Sequence, residues 1–214
     1  MLLLAIDTST PAVSVALCRD GVALATETVV DARRHNELLA VSIEAVLDRA
    51  GVTPRQVDAV AAGVGPGPYT GLRVGLMTAR ALAHALGIPA YGICSLDVLA
   101  RAAARAIDGE FVVATDARRK EVYWASYAGG ERISGPSVDK PAEVPYAGPL
   151  VGEGGVLYPE AFPGARPPLH PDPVDLAAIV EEYVAAGRET LPLEPLYLRK
   201  PDAAPPGARK RALG

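Results

Sequence analysis

A gapless internal repeat constrains this chain more than any other feature. Residues 4–21, LAIDTSTPAVSVALCRDG, align without a gap with residues 113–130, VATDARRKEVYWASYAGG, so that Asp7 meets Asp116. Each copy is a β-run that ends in Asp, a short polar turn and a second β-run, which is the pattern of a β-hairpin. Two such copies predict a duplicated α/β fold made of two similar lobes.

The segments around the repeat alternate between strand and helix patterns. After the first hairpin we predict a strand at 21–30, an amphipathic helix at 35–51, a buried strand at 57–65, a helix beginning near Tyr69, a strand at 90–95 and a helix at 96–107. A proline-rich stretch follows the second hairpin over 134–173, and one helix is predicted at 174–187. These patterns predict an N-terminal lobe over 1–107, a reduced C-terminal lobe over 108–200 and a disordered tail over 201–214.

The glycine-rich stretch before the central helix does not fit a phosphate-binding motif. A Walker A loop needs four residues between its glycines, whereas five separate Gly65 from Gly71. The dinucleotide fingerprint needs a third glycine three residues after Gly67, where this chain has Thr70. We therefore interpret the stretch as a strand-to-helix turn.

The central helix carries small residues at every fourth position: Gly71, Gly75, Ala79 and Ala83. Glycine inside a helix costs about 0.5–1 kcal/mol relative to alanine. A close approach by another backbone would compensate for this cost, because small residues allow helices to pack tightly. The neighbour could be the chain's own sheet, the preceding helix or a partner chain, and we favour the partner chain.

Composition narrows the classes of function. The net charge is −4, which argues against a strongly basic surface for nucleic acid over the chain as a whole. The two cysteines, Cys18 and Cys94, lie far apart without CxxC spacing, as expected in a reducing cytosol, so we predict a cytoplasmic protein. The N-terminal apolar run is short and interrupted by Asp7, and no stretch approaches the roughly 20 apolar residues of a membrane span.

Four ordered motifs resemble the TsaB (YeaZ) family, whose members are paralogues of the tRNA-modifying subunit TsaD. The motifs are LAIDTST, GPGPYTGLRVGLMTARALAHALGIP, DARRKEVYWASY and the PLYLRK of 195–200. The resemblance is strong over about 1–130, weak over 134–190 and strong again from Pro195 to Arg199. It implies an actin-like (ASKHA, RNase H-like) fold, in agreement with the repeat.

The resemblance also implies a role and partners. The chain would be a non-catalytic subunit that binds TsaD and, together with TsaE, supports transfer of a threonylcarbamoyl group to adenosine beside the anticodon of tRNA. ATP and metal would belong to the partner subunit, tRNA would bind only within the complex, and the chain alone would form a homodimer. The expected interface residues are Tyr69, Gly71, Arg73, Gly75, Ala79, Arg80, Ala83, His35 and Leu39.

Catalytic elements are incomplete in this sequence. By resemblance, Asp7 and Asp116 stand where enzymes of the actin-like fold keep metal-associated carboxylates, and Gly152 and Gly154 match a nucleotide-side glycine turn. The catalytic paralogue binds metal through two histidines at helical spacing, but Leu39 stands four residues after His35. One imidazole does not make a metal site, and no HExxH motif is present.

Two interpretations of these polar residues remain open. Asp7 and Asp116 are strand-end hydrogen-bond acceptors, the first with Thr8 and Ser9 and the second with Arg118 or Arg119, and His35 packs or caps its helix. Alternatively, the chain is an enzyme of the same fold, either an ATP-hydrolysing phosphotransferase or an RNase H-like nuclease that uses Asp7, Glu27 and Asp116. The basic turn at 118–120 is interpreted as solvated, with a phosphate or tRNA contact as the less favoured reading.

Overall fold

A computed structural model describes residues 1–31, 34–145 and 148–199. In chain order, the first half contains β1 (Leu2–Asp7), β2 (Ala12–Arg19), β3 (Val22–Val30), α1 (His35–Ala50), β4 (Ala59–Gly63), α2 (Tyr69–Leu86), β5 (Ala90–Ile93) and α3 (Ser95–Ala103). The second half contains β6 (Glu110–Asp116), β7 (Val122–Ala128), β8 (Glu131–Asp139), β9 (Leu150–Val151), α4 (Glu153–Leu157) and α5 (Pro173–Ala185). The predicted tail at 201–214 lies outside the described residues.

The first five strands form one mixed sheet in the order β3-β2-β1-β4-β5. β1 pairs antiparallel with β2 and parallel with β4, which places β1 at the centre. The apolar sides of α1 and α2 cover one face, where Leu39, Val46 and Leu76 pack against Leu4 and other side chains of the strands. The alternation of strand residues sends Leu3 and Ala5 to the opposite face.

The second sheet repeats the central part of the first. Its order is β8-β7-β6-β9, with the same antiparallel and parallel pairings as β3-β2-β1-β4. β3 and β8 are each nine residues long, and both follow their hairpins in the register that aligns Asp7 with Asp116. In place of α1, a 3-10 turn at 141–143 connects β8 to β9, and α4 is much shorter than α2. The predicted α/β fold and its internal duplication are therefore observed.

The predicted C-terminal lobe runs over 108–200, but α5 packs on the first sheet and Leu196 contacts the cores of both sheets. Leu176, Ala177 and Val180 of α5 pack on the free face of the first sheet, together with Leu3 and Ala5. The reason is that this face carries apolar side chains that α1 and α2 do not reach. Ion pairs from Arg101 to Glu182 and from Arg105 to Asp175 tie α5 to α3 and to the turn that follows it.

After α5 the chain returns as an extended segment over residues 191–199. Leu191 pairs with Gly92 at the edge of β5, and Leu196 N donates to the Val64 carbonyl at 2.9 Å. Leu196 packs against the cores of both sheets, so this segment joins the two halves. The apolar content of the PLYLR motif is consistent with this packing.

Predicted element boundaries agree with the observed ones to within a few residues in the first half. The proline-rich stretch 134–173 is more regular than predicted, because β8 continues to Asp139 and β9 and α4 follow. None of the described helices has the length and apolar character needed to cross a membrane.

Candidate functional site

The two aspartates of the repeat occupy equivalent positions and make equivalent turns. Asp7 ends β1 and accepts a hydrogen bond from Ser9 N at 2.8 Å through Oδ1. Asp116 ends β6 and accepts one from Arg118 N at 2.7 Å through the corresponding oxygen. In each hairpin the carboxylate therefore bonds to the backbone two residues ahead, which is how Asp commonly stabilises a tight turn.

The Asp7 carboxylate is sealed inside the protein, with 1% of the residue exposed. Ser9 Oγ donates to Oδ1 at 2.7 Å, and Ser95 Oγ at the start of α3 donates to Oδ2 at 2.7 Å. Burial raises the pKa of Asp7, while the hydrogen bonds from Ser9 and Ser95 act in the opposite direction. These contacts support the interpretation as a strand-end acceptor; the Ser95 partner was missed because it lies 88 residues away in sequence.

Asp116 faces a more open and more highly charged setting. Arg118 Nη1 lies 3.0 Å from Asp116 Oδ2, so the predicted charge partner is confirmed. Burial raises the pKa of the nearby Glu153 carboxyl, and the negative charge of Asp116 raises it further. Across 1–31, 34–145 and 148–199, no three His, Cys, Asp or Glu side chains are grouped as metal ligands would be.

Close packing accounts for Gly152 and Gly154. A Cβ on Gly152 would lie 2.2 Å from the Ala114 carbonyl oxygen, and one on Gly154 would lie 2.9 Å from the same atom. Gly152 also has φ = +100°, which other residues rarely adopt. Both glycines therefore allow the first turn of α4 to approach β6, and a nucleotide is not needed to explain them.

The proposed nuclease triad of Asp7, Glu27 and Asp116 is wrong. Glu27 is aligned with Val15 and Ile6 across the sheet, on the face covered by α1, where it pairs with Arg49. Asp7 is the next residue along β1 and projects from the opposite face. The sheet therefore separates these two carboxylates.

Of the small-residue ridge Gly71, Gly75, Ala79 and Ala83 on α2, the two glycines face the protein's own first hairpin and Ala79 lies in the core, so the close neighbour of these three residues is the chain itself and not a partner chain. All four are buried. Thr8 Oγ1 donates to the Gly71 carbonyl at 2.8 Å and accepts from Gly75 N at 3.0 Å. A Cβ on Gly75 would lie 2.4 Å from that hydroxyl oxygen. The glycines are needed because the turn after β1 approaches the helix backbone.

His35 and Leu39 are also internal and cannot form the outer surface that was predicted for them. His35 Nε2 donates to the Thr10 carbonyl at 2.9 Å, and Leu39 packs in the core beneath α1. The interpretation of His35 as packing at the start of its helix is supported by this contact. The first hairpin turn is therefore enclosed between α1 and α2.

The outward face of α2 carries the remaining predicted interface residues, Tyr69, Arg73 and Arg80, together with Met77. Met77 is 58% exposed and Val41 of α1 is 62% exposed. Between the two helices lies an apolar groove of about 270 Å³, lined mainly by Ile43, Leu47, Val57, Val60 and Leu82. Sequence reasoning missed Met77 and Val41 because periodicity alone did not show which apolar residues stay uncovered.

Tyr69 begins a second surface at the start of α2. Its ring stacks on Tyr197 at a centroid distance of 5.6 Å, and the Arg73 guanidinium lies 4.6 Å from the Tyr69 ring centroid. A cavity of about 250 Å³ opens beside it, lined by both hairpin turns and the start of α2 through Thr8, Thr10, Pro11, His35, Pro68, Tyr69, Thr70, Gly71 and Arg118. This cavity is where the two halves of the repeat meet.

Comparisons with known proteins agree with this geometry. A family model described as TsaD, tRNA N6-adenosine threonylcarbamoyltransferase, matches residues 29–168, more than half of the chain. An uncharacterized protein of Mycobacterium tuberculosis is 45% identical over 207 residues, covering 94% of this chain and 93% of that protein. The tRNA threonylcarbamoyladenosine biosynthesis protein TsaB of Escherichia coli is 38% identical over 128 residues, or 59% of this chain and 55% of that protein.

A solved structure matches the chain in three dimensions. YeaZ from Pseudomonas aeruginosa superposes with a TM-score of 0.78 at 35% identity, covering 92% of this chain and 99% of that one. The sequence motifs and the superposition cover both halves of the repeat, and the family model covers residues 29–168. On these grounds, the chain belongs to the TsaB (YeaZ) family of TsaD-related proteins.

Proposed function

We propose that this chain is a non-catalytic subunit of the machinery that makes threonylcarbamoyladenosine in tRNA, and that it binds a TsaD-like subunit through α1 and α2. The family supports the process, since relatives in three bacteria are named as biosynthesis proteins for this nucleoside. The observation that carries the binding surface is the uncovered apolar groove between α1 and α2, lined by Ile43, Leu47 and Leu82, on two helices that also expose Val41 and Met77. Exposed apolar side chains beside a groove are typical of protein interfaces.

The charges of the two helices support pairing with a related fold. Glu37, Glu44 and Asp48 are exposed on α1, whereas Arg73 and Arg80 are exposed on α2. A two-fold arrangement can place the acidic helix of one molecule against the basic helix of the other. The same complementarity would serve a paralogous partner or a second copy of the chain, so we propose a homodimer in the absence of TsaD.

The lack of catalysis in the isolated chain is also a proposal. The internal bonding of Asp7 and the packing role of Gly152 and Gly154 support it, because these residues are already committed to holding the fold. An actin-like architecture is supported by the repeated strand order of the two sheets. ATP and metal would then be held by the partner, and TsaE and tRNA would join the assembled complex.

One substitution tests the binding surface. Met77→Glu places a charge on the exposed side of α2, among the apolar side chains of the proposed surface, and we expect affinity for TsaD to fall at least about tenfold. Ile133→Glu on β8 is the matched control, because Ile133 is an exposed apolar residue of the second sheet. Calorimetric titration of each folded variant with TsaD measures the effect. Equal affinities of the wild type and Met77→Glu would refute the proposed surface.

The enzyme alternative is tested separately by titrating the isolated chain with ATP and magnesium. We expect weak binding or none. A stoichiometric complex with a dissociation constant in the low micromolar range, about −8 kcal/mol, would contradict the non-catalytic role.

A further inference from the structure

We propose that the basic turn between β6 and β7, together with the ring of Tyr197, forms a contact surface for single-stranded RNA. The surface consists of Arg118, Arg119, Lys120, Tyr197 and Arg199. This inference goes beyond the proposed subunit role, because this chain would itself bind RNA in addition to binding a partner subunit.

The first step of the argument is the backbone of the turn. Arg118, Arg119 and Lys120 have φ values of +61°, +55° and +62°. A left-handed conformation costs a residue other than glycine about 1–2 kcal/mol, so three in succession are unusual. In the equivalent turn after Asp7 the chain has small hydroxyl residues that are buried under α2. The second copy instead exposes three long basic side chains.

The second step is the neighbourhood of this turn. Arg199 Nη2 lies 3.4 Å from the Arg118 carbonyl oxygen and forms an ion pair with Glu121. The segment 191–199 is therefore joined to the basic turn at one end. Two residues before Arg199, Tyr197 is 48% exposed and continues the Arg73–Tyr69 stack. Cationic side chains and an open aromatic ring thus lie on neighbouring parts of one surface.

The third step is the ligand chemistry. Grouped basic side chains favour a polyanion, and here Arg118 and Arg199 are held in place by ion pairs with Asp116 and Glu121. An exposed aromatic ring at the end of a stack favours an unpaired base, because a base in a duplex has no free face to offer. The cavity of about 250 Å³ between Tyr69 and Arg118 presents the side chains of Thr10 and Thr70 beside this path. Single-stranded RNA satisfies both requirements, phosphates for the turn and bases for the ring.

The test uses the full chain and a fluorescein-labelled single-stranded RNA of about ten nucleotides, with anisotropy read at about 50–200 mM salt. Arg119→Asn/Lys120→Asn removes two charges, and Asn tolerates the left-handed conformation. We expect more than fivefold weaker binding at the lowest salt. The slope of log affinity against log salt should fall by about 1.4, which is about 0.7 for each lost phosphate contact.

Matched variants separate charge from stacking. Arg19→Asn/Arg55→Asn also removes two exposed arginines, one at the end of β2 and one in the turn before β4 beside the last residues of α2, and should change affinity less than twofold. Tyr197→Leu should weaken binding about tenfold without changing the salt slope, whereas Tyr197→Phe keeps the ring and should bind like the wild type. Circular dichroism melting verifies that each variant is folded. Met77→Glu should bind RNA normally, so failure of the TsaD surface and failure of this one are distinguishable.

Four results would overturn the proposal. The first two are that the wild type does not bind RNA at the lowest salt, or that both double variants lose the same amount of RNA affinity. The other two are that the wild type binds a duplex of the same length equally well, or that ATP at low micromolar concentration displaces all of the RNA. The last would show a site for a free nucleotide in place of an RNA surface.

Discussion

Replacing Gly75 by alanine tests whether the small-residue ridge of α2 packs inside the protein. In an exposed helix the change would stabilise the fold by about 1 kcal/mol, because alanine is the better helix former. Here the added methyl would lie 2.4 Å from Thr8 Oγ1, about 1 Å closer than ordinary contact. The Thr8 hydroxyl must then move away from both Gly71 O and Gly75 N.

The expected magnitude follows from these contacts. Overpacking of a well-filled site costs about 1–3 kcal/mol, and each weakened buried hydrogen bond costs about 1 kcal/mol. After subtracting the gain in helix propensity, we expect Gly75→Ala to lower the free energy of unfolding by about 2–4 kcal/mol. Urea unfolding followed by circular dichroism measures this change, and the fluorescence of Trp124 reports separately on the second sheet.

A double-mutant cycle with Thr8→Ala identifies the cause. Thr8→Ala removes the hydroxyl that the new methyl would meet, so the double variant should be more stable than the sum of the two single effects by at least about 1 kcal/mol. The folded fraction of Gly75→Ala should bind TsaD like the wild type. A variant that is more stable than the wild type by the full propensity difference would show that the ridge is not packed against Thr8, and would refute the reasoning.

Three further predictions concern a buried acid, the thiols and the C-terminal segment. Burial raises the pKa of Asp7 in the folded chain above the ordinary value of 3.8. Asp7 therefore contributes most to stability at low pH, and this contribution declines as the pH rises from 3.8 to the pKa of the folded state. In urea titrations, the stability of Asp7→Asn relative to the wild type should increase over this pH range. Burial raises the pKa of Cys94 to about 12 and that of Cys18 to about 11. At pH 8 the folded chain should therefore resist alkylation by iodoacetamide, whereas the chain unfolded in guanidinium should be alkylated at both thiols, as measured by mass spectrometry. Deleting 201–214 should leave the melting temperature unchanged, but deleting 191–214 should lower it by about 5 °C or more, because Leu196 packs in both cores; equal melting temperatures of the two truncated chains would contradict this.

Much of the fold was accessible from local patterns. The alignment of Asp7 with Asp116 predicted the duplicated hairpins, and the 3.6-residue periodicity predicted α1 and α2. These features depend on neighbours in sequence, for which propensity and alternation are informative. The turn role of Asp7 was likewise predictable, because its Ser9 partner is two residues away.

The directions of the helix faces were not accessible in the same way. The ridge from Gly71 to Ala83 requires a close neighbour, but sequence spacing does not distinguish a partner helix from the chain's own Thr8. The docking of α5 on the first sheet depends on Leu3 and Ala5, more than 160 residues earlier in the chain. Such long-range pairings are set by which apolar faces remain uncovered once the local elements have formed.

The placement of α5 has a consequence for biosynthesis. A ribosome releases the five strands of the first sheet well before Leu176 and Val180, yet the face that carries Leu3 and Ala5 is covered only when those side chains arrive. N-terminal domains commonly fold first during synthesis, as units of their own. Here much of one apolar face of the first sheet stays uncovered until α5 has emerged, so we expect an early stop in translation to leave a product with an exposed apolar face.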